Sequence, residues 1–146
     1  MPRNDKKIST GRGDIISEKA QERVPEVILD LIFRNGLFFI ALKNIGDGPA
    51  YKVQTKFDRE IYGSEGTIKI NSLNLFKQIG FLAPGKEITI FLDAAYSYFN
   101  RKQPNTISAT ITYYDVKKNE RTNHIRHNLE IYKKFPYVSS EPGQGS

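Results

Sequence analysis

Residues 37–57, LFFIALKNIGDGPAYKVQTKF, commit the chain to a β fold. Phe38, Ile40 and Leu42 alternate with Phe39, Ala41 and Lys43, and Tyr51, Val53, Thr55 and Phe57 alternate with Lys52, Gln54 and Lys56. Side chains two apart share one face of a strand, so each run has a face to bury, the second with its lysines outward. Between them lie the turn formers Asn44, Ile45, Gly46, Asp47, Gly48 and Pro49. The two runs therefore read as paired strands, with Gly46 and Gly48 supplying dihedrals that other residues resist and Pro49 stiffening the exit.

The same period extends on both sides. Val27, Leu29, Leu31 and Phe33 fall on one face and Ile28, Asp30, Ile32 and Arg34 on the other. Asn35-Gly36 then gives a two-residue hairpin turn into the run from 37 to 43. Downstream, a charged loop over 58–66 precedes a short strand over 67–70 in which Ile68 and Ile70 share a face, and 71–76 has no clean period. Ile79, Phe81 and Leu82 lead into Ala83-Pro84-Gly85-Lys86, a turn of the type II kind, and a strand over 87–93. Residues 94–104, AAYSYFNRKQP, read as a loop. Ile107, Ala109, Ile111 and Tyr113 alternate with Ser108, Thr110, Thr112 and Tyr114, and 122–132 closes the domain, the spacing of Ile125, Leu129 and Ile131 predicting a bulge.

About seven short strands predict an all-β, antiparallel β-sandwich, with a closed barrel as the alternative. The sandwich spans 25–135. Residues 1–24 form a polar arm in which Ile16, Ala20 and Val24 recur every four residues, enough for a short helix from 15 to 23 behind an Asp14 cap, and 136–146 form a tail with little to bury.

Chemistry is narrowed as much by what is missing. The chain has no cysteine, which excludes disulfides, thiolate metal sites and a cysteine nucleophile together. No run approaches the roughly 20 apolar residues of a spanning helix, and MPRNDKKISTGRGD lacks the apolar core of a signal peptide, so the chain as given is expected to be soluble in a compartment left open. Serines are common but none sits in a Gly-x-Ser-x-Gly elbow, and there is no P-loop or dinucleotide fingerprint. His124 and His127, three apart on a strand, point to opposite faces and are expected as surface residues, not metal ligands. Asp47, Asp58, Glu60, Glu65 and Asp93 are scattered through loops with no calcium-loop spacing. No enzymatic activity, metal or cofactor is expected. Arg12-Gly13-Asp14 in the arm spells an integrin-type tripeptide, a combination that arises readily by chance.

Binding is the remaining class. Tyr96, Tyr98 and Phe99 with Arg101 and Lys102 form the candidate anchor for a protein partner, and replacing the three rings by Ser is expected to leave the fold intact. Lys117, Lys118, Arg121 and Arg126, joined by Lys133 and Lys134 against Glu120 and Glu130, concentrate much of the formal net charge of +6 on the last hairpin. Together with the aromatic loop they offer anion contacts, and nucleic acid is the alternative partner, with carbohydrate or a cell surface as a third.

Asn44-Ile45-Gly46-Asp47-Gly48-Pro49-Ala50 with Val53, then Leu82-Ala83-Pro84-Gly85, then Ile111-Thr112-Tyr113-Tyr114-Asp115, resemble the immunoglobulin-like modules related to the CARDB (cell-adhesion-related) domains of bacteria and archaea. The likeness runs from about Glu26 to Tyr132. It implies an immunoglobulin-like sandwich acting as an accessory or interaction module without catalysis, of a kind often attached to larger surface or membrane-anchored proteins.

Overall fold

Period-two alternation becomes two antiparallel sheets. The computed structural model describes residues 23–134. Strands β1 (Val27–Arg34), β2 (Leu37–Asn44) and β7 (Glu87–Ala94) form a three-stranded sheet in the order β1-β2-β7. Strands β3 (Ala50–Phe57), β6 (Ile79–Leu82), β8 (Thr106–Tyr114) and β9 (Glu120–Asn128) form a four-stranded sheet in the order β9-β8-β3-β6. A small ribbon pairs β4 (Tyr62–Gly63) with β5 (Ile68–Lys69), and of the three short helices among the described residues α1 (Asn74–Lys77) and α2 (Ala95–Asn100) lie in connections and α3 (Ile131–Lys134) follows the last strand. Leu29, Ile40 and Leu42 from one sheet and Val53, Ile107 and Ile111 from the other are buried in one core, so the fold is an all-β sandwich, with seven strands in its two main sheets among the described residues. The arm helix, apart from Arg23, the Arg12-Gly13-Asp14 tripeptide and the tail beyond 135 lie outside the described residues.

Two turns follow their sequence signals. Asn35 and Gly36 take φ of 52° and 78° in the hairpin between β1 and β2, as a two-residue primed turn demands. Gly85 takes φ 78° and the Lys86 N–H donates to the Ala83 carbonyl at 3.0 Å, the type II geometry that Pro84-Gly85 favours.

The segment between β2 and β3 is different. The two strands do not pair, because β2 belongs to the three-stranded sheet and β3 to the other, so residues 45–49 carry the chain across the sandwich. Gly46 and Gly48 do not have positive φ. What they supply is space: a Cβ on Gly46 would stand 2.3 Å from the Val24 carbonyl oxygen, and one on Gly48 2.7 Å from that of Arg23. The chain entering β1 is pressed against this crossing. Asn44, 1% exposed, holds the junction with every hydrogen-bonding position of its amide in use. Its Oδ1 accepts from the N–H of Glu26 (3.1 Å) and Gly46 (3.0 Å), and its Nδ2 donates to the carbonyls of Gly48 (2.9 Å) and Leu82 (3.0 Å).

Two further expectations are corrected. β9 pairs residue for residue with β8 from Glu120 to Asn128, without a bulge. Ile125 and Leu129 share the inward parity, and His127 occupies the position between them, donating from Nε2 to the Leu29 carbonyl at 2.7 Å. Irregularities fall instead at Phe38/Phe39, against β7, and between Tyr51 and Gln54, where Lys52 takes φ 52°. Ile68 and Ile70 do not share a face, since Ile70 is buried at the start of a 3-10 turn while Ile68 is exposed.

Candidate functional site

The segment 94–104 is not a loop throughout. Ala95, Tyr98 and Phe99 are spaced i, i+3, i+4, the period of one helical face, and α2 turns them toward the core. Lys102 closes the helix in the left-handed conformation (φ 58°). The Gln103 N–H donates to the Tyr98 carbonyl and the Lys102 N–H to that of Phe99, the Schellman pattern, with Lys102 where Gly is usual. Tyr98 is fully buried, its hydroxyl donating to the Pro104 carbonyl at 2.8 Å, and burial pushes its phenol well above the ordinary value. Phe99 packs half-buried edge-on to Phe38, with the Lys133 ammonium 5.0 Å from its ring centre. Of the three rings assigned to a partner, two thus belong to the core or its margin, and Tyr96, 79% exposed, alone faces solvent.

Arg101 is also engaged inside the molecule. Its Nη2 pairs with the Asp93 carboxylate and donates to the Tyr62 carbonyl, joining the end of α2 to the end of β7 and to β4. Asp93, 1% exposed, further accepts from the N–H groups of Ala94 and Glu65.

The basic hairpin divides. Lys117 and Lys118 lie in the β8–β9 turn, whereas Arg126 stands opposite Ser108, six residues along β9 from Glu120 and roughly 20 Å away. Arg121 is committed to the turn itself. Asp115, 5% exposed, accepts from the N–H groups of Lys117 and Asn119, each at 2.9 Å, and from Arg121 Nε at 3.1 Å. Burial raises the Asp115 carboxyl, but the Asn119 N–H, the Arg121 guanidinium and the other donors outweigh it and hold the carboxyl below its usual range. A carboxyl whose folded value lies below the unfolded one, about 3.9, stabilises the fold fully above that value and loses this contribution as pH falls through the folded value. Asp115→Asn is therefore expected to cost about 2 kcal/mol near neutral pH, with the gap to the parent narrowing below about pH 4. Melting temperatures of both proteins across that range test this. A gap independent of pH would show that the charge does not hold the turn.

What the structure brings together lies on the outer face of the four-stranded sheet. The irregularity at Lys52 reverses the parity of β3, so Tyr51 leaves the inward row of Val53 and Thr55 and joins the outer face. There it stands between Tyr114 of β8 and Phe81 of β6 in one row, with the Tyr51 and Phe81 ring centres 5.4 Å apart. Tyr51 and Tyr114 with Val116, Lys52, Lys118 and Asp115 line a groove of about 460 Å³. Phe81 is 54% and Val116 60% exposed beside it. Farther along the same face, Lys56, Thr110 and His124 share a row, the Thr110 hydroxyl and His124 Nδ1 being 3.0 Å apart. Among the described residues no three His, Asp or Glu side chains are placed to hold a metal ion, and no helix is long and apolar enough to cross a membrane.

A family model described as a domain of unknown function, DUF8453, matches residues 9–133. The chain belongs to this family. No curated protein matches it. In this DUF8453 chain the aromatic row went unnoticed in the sequence because Tyr51, Phe81 and Tyr114 are far apart along it and only the register of β3 with its neighbours assembles them. The one local signal was Tyr114, whose outward parity follows from the alternation of β8.

Proposed function

We propose that the chain is a non-enzymatic interaction module that binds another protein through the outer face of the four-stranded sheet, centred on Tyr51, Phe81 and Tyr114. One observation carries this reading: three aromatic rings and Val116 lie together at the surface on an otherwise polar sheet face, rimmed by Lys52 and Lys118. Tyrosines of this kind present large, stiff, amphipathic surface, and exposed apolar clusters with a polar rim mark contact sites. We also propose an immunoglobulin-like arrangement, which the strand order favours, whereas the CARDB-type resemblance rests on the sequence motifs alone. Strands β1-β2-β7 against β9-β8-β3 follow the A-B-E and G-F-C order of such sandwiches, with the fourth strand beside β3 rather than β7.

The test is capture from lysate of the source organism with the full chain as bait, with and without nuclease, beside Phe81→Ser/Tyr114→Ser. A defined polypeptide retained in both lysates and reduced about tenfold or more by the variant, at unchanged melting temperature, is expected. Capture indifferent to the two rings overturns the proposed surface. Capture that vanishes with nuclease transfers it to nucleic acid, a reading favoured by Lys56, His124 and Arg126 on the same face.

A further inference from the structure

The four outer strands of the two sheets differ in how their open edges are managed. Along β1 the carbonyls of Val27 and Leu29 accept from Asn123 Nδ2 (2.8 Å) and His127 Nε2 (2.7 Å) of β9. β9 is itself almost wholly polar, with Glu120, Arg121, Arg126 and two histidines, the charged composition that discourages pairing with another chain. β7 is covered by β4 and the segment after it: a Cβ on Gly63 would lie 2.2 Å from the Leu92 carbonyl oxygen, and the Glu65 N–H reaches the Asp93 carboxylate.

β6 has none of these protections. Ile79-Gly80-Phe81-Leu82 is uncharged and free of proline. It pairs with β3 on one side, and among the described residues no backbone hydrogen bond joins it to another element. The Leu82 carbonyl is taken by Asn44, which leaves residues 79–81, continued by the extended and exposed Gln78, as the open edge. A Cβ on Gly80 would meet nothing within 4 Å, and Phe81 is 54% exposed. Lys77 precedes this edge and Lys86 follows it across the turn at 83–85, both exposed and neither in an ion pair among the described residues.

We infer that the edge of β6 receives an extended segment of the partner as a fifth strand of the sheet, and that this segment carries acidic residues at both ends. The inference rests on the proposed binding through this sheet and specifies the mode and chemistry of the partner. Added strands gain affinity from main-chain hydrogen bonds, and alternate side chains supply specificity. Here every second side chain of the added strand would fall on the outer face, and the one opposite Phe81 would extend the row of Tyr114, Tyr51 and Phe81. The charges select the occupant. A second copy pairing antiparallel through β6 would bring Lys77 of one molecule toward Lys86 of the other at both ends, and like charges across strands are unfavourable. A strand with Asp or Glu at its ends meets those lysines favourably.

The test uses the full chain, isotopically labelled for NMR, and two synthetic probes, the peptide Asp-Glu-Val-Thr-Val-Thr-Val-Glu-Asp and its counterpart with lysines at the four acidic positions. The acidic peptide is expected to shift the amides of residues 78–81 and slow their hydrogen exchange. Binding is expected to be weaker by roughly three- to tenfold for the lysine peptide and for Lys77→Glu/Lys86→Glu, a variant that leaves the apolar edge intact. Gly80→Pro, checked for an unchanged fold by its melting temperature, removes one N–H of the receiving strand and restricts its backbone, and is expected to reduce binding further. Equal binding of both peptides overturns the acidic chemistry. Shifts confined to Tyr51, Tyr114 and Val116, or no shift with either peptide, overturn strand addition while the capture experiment judges the sheet face separately. Self-association of the unliganded chain that Gly80→Pro abolishes assigns the edge to a second copy and overturns the inference.

Discussion

Tyr98→Ala is expected to destabilise the domain by about 3–5 kcal/mol, while Tyr96→Ala, two residues away, changes stability by less than about 0.5 kcal/mol. The contrast follows from placement alone. Tyr98 is 0% exposed and meets Phe38 edge-on with ring centres 5.8 Å apart, whereas Tyr96 is 79% exposed. Removing the Tyr98 ring empties a space enclosed by Phe38, Phe99 and the chain before β8, and strands the Pro104 carbonyl that its hydroxyl satisfies. Tyr98→Phe separates the two effects, because it keeps the ring and loses only the hydrogen bond, at about 1–2 kcal/mol. Urea unfolding of the three variants gives the ranking. Equal midpoints for Tyr96→Ala and Tyr98→Ala would show that the ring is not part of the core. The triple replacement of Tyr96, Tyr98 and Phe99 by Ser is therefore expected to unfold the domain instead of probing a surface.

Strand identity was legible because alternation is written locally: β1, β7 and β8 show in sequence the faces they show in the structure. Three kinds of feature were not. A single residue with positive φ, Lys52, reverses the parity of Tyr51, and no composition rule marks a lysine for that role. A six-residue helix is too short for its period to stand out, so Ala95, Tyr98 and Phe99 looked like an aromatic loop. Side chains that bridge distant segments leave no pattern at all. Asn44 reads as a turn residue and is the joint between the start of β1, the crossing and the end of β6. The aromatic row of the candidate site is of this last kind, built by register among three strands that are not consecutive in the chain.

Arg101→Met is expected to cost about 3–5 kcal/mol, because it leaves the Asp93 carboxylate buried without its cation. The Asp93 side chain is 2% exposed and that of Arg101 23%, so the two members are not equivalent. An arginine deprived of its partner can turn its guanidinium toward water, whereas the carboxylate has no such exit. Asp93→Asn alone is accordingly expected to cost less than Arg101→Met. The Asn amide still accepts from the Ala94 N–H, now 2.9 Å from the Asp93 carboxylate, while its own N–H groups face the guanidinium. The double variant removes both charges, and its cost is expected to fall below the sum of the singles by about 1–3 kcal/mol, the coupling of residues in direct contact. The pair also holds the segment after β4, where Ser64 and Glu65 both take positive φ, since Arg101 grips the Tyr62 carbonyl and Asp93 the Glu65 N–H. Together with β4, that segment covers the edge of β7. Urea unfolding of the two singles and the double gives the coupling, and amide exchange at residues 62–66 gives the local consequence. Additive costs, with exchange in that segment unchanged by Arg101→Met, would show that the pair is an incidental contact and not the clamp that closes this edge of the sandwich.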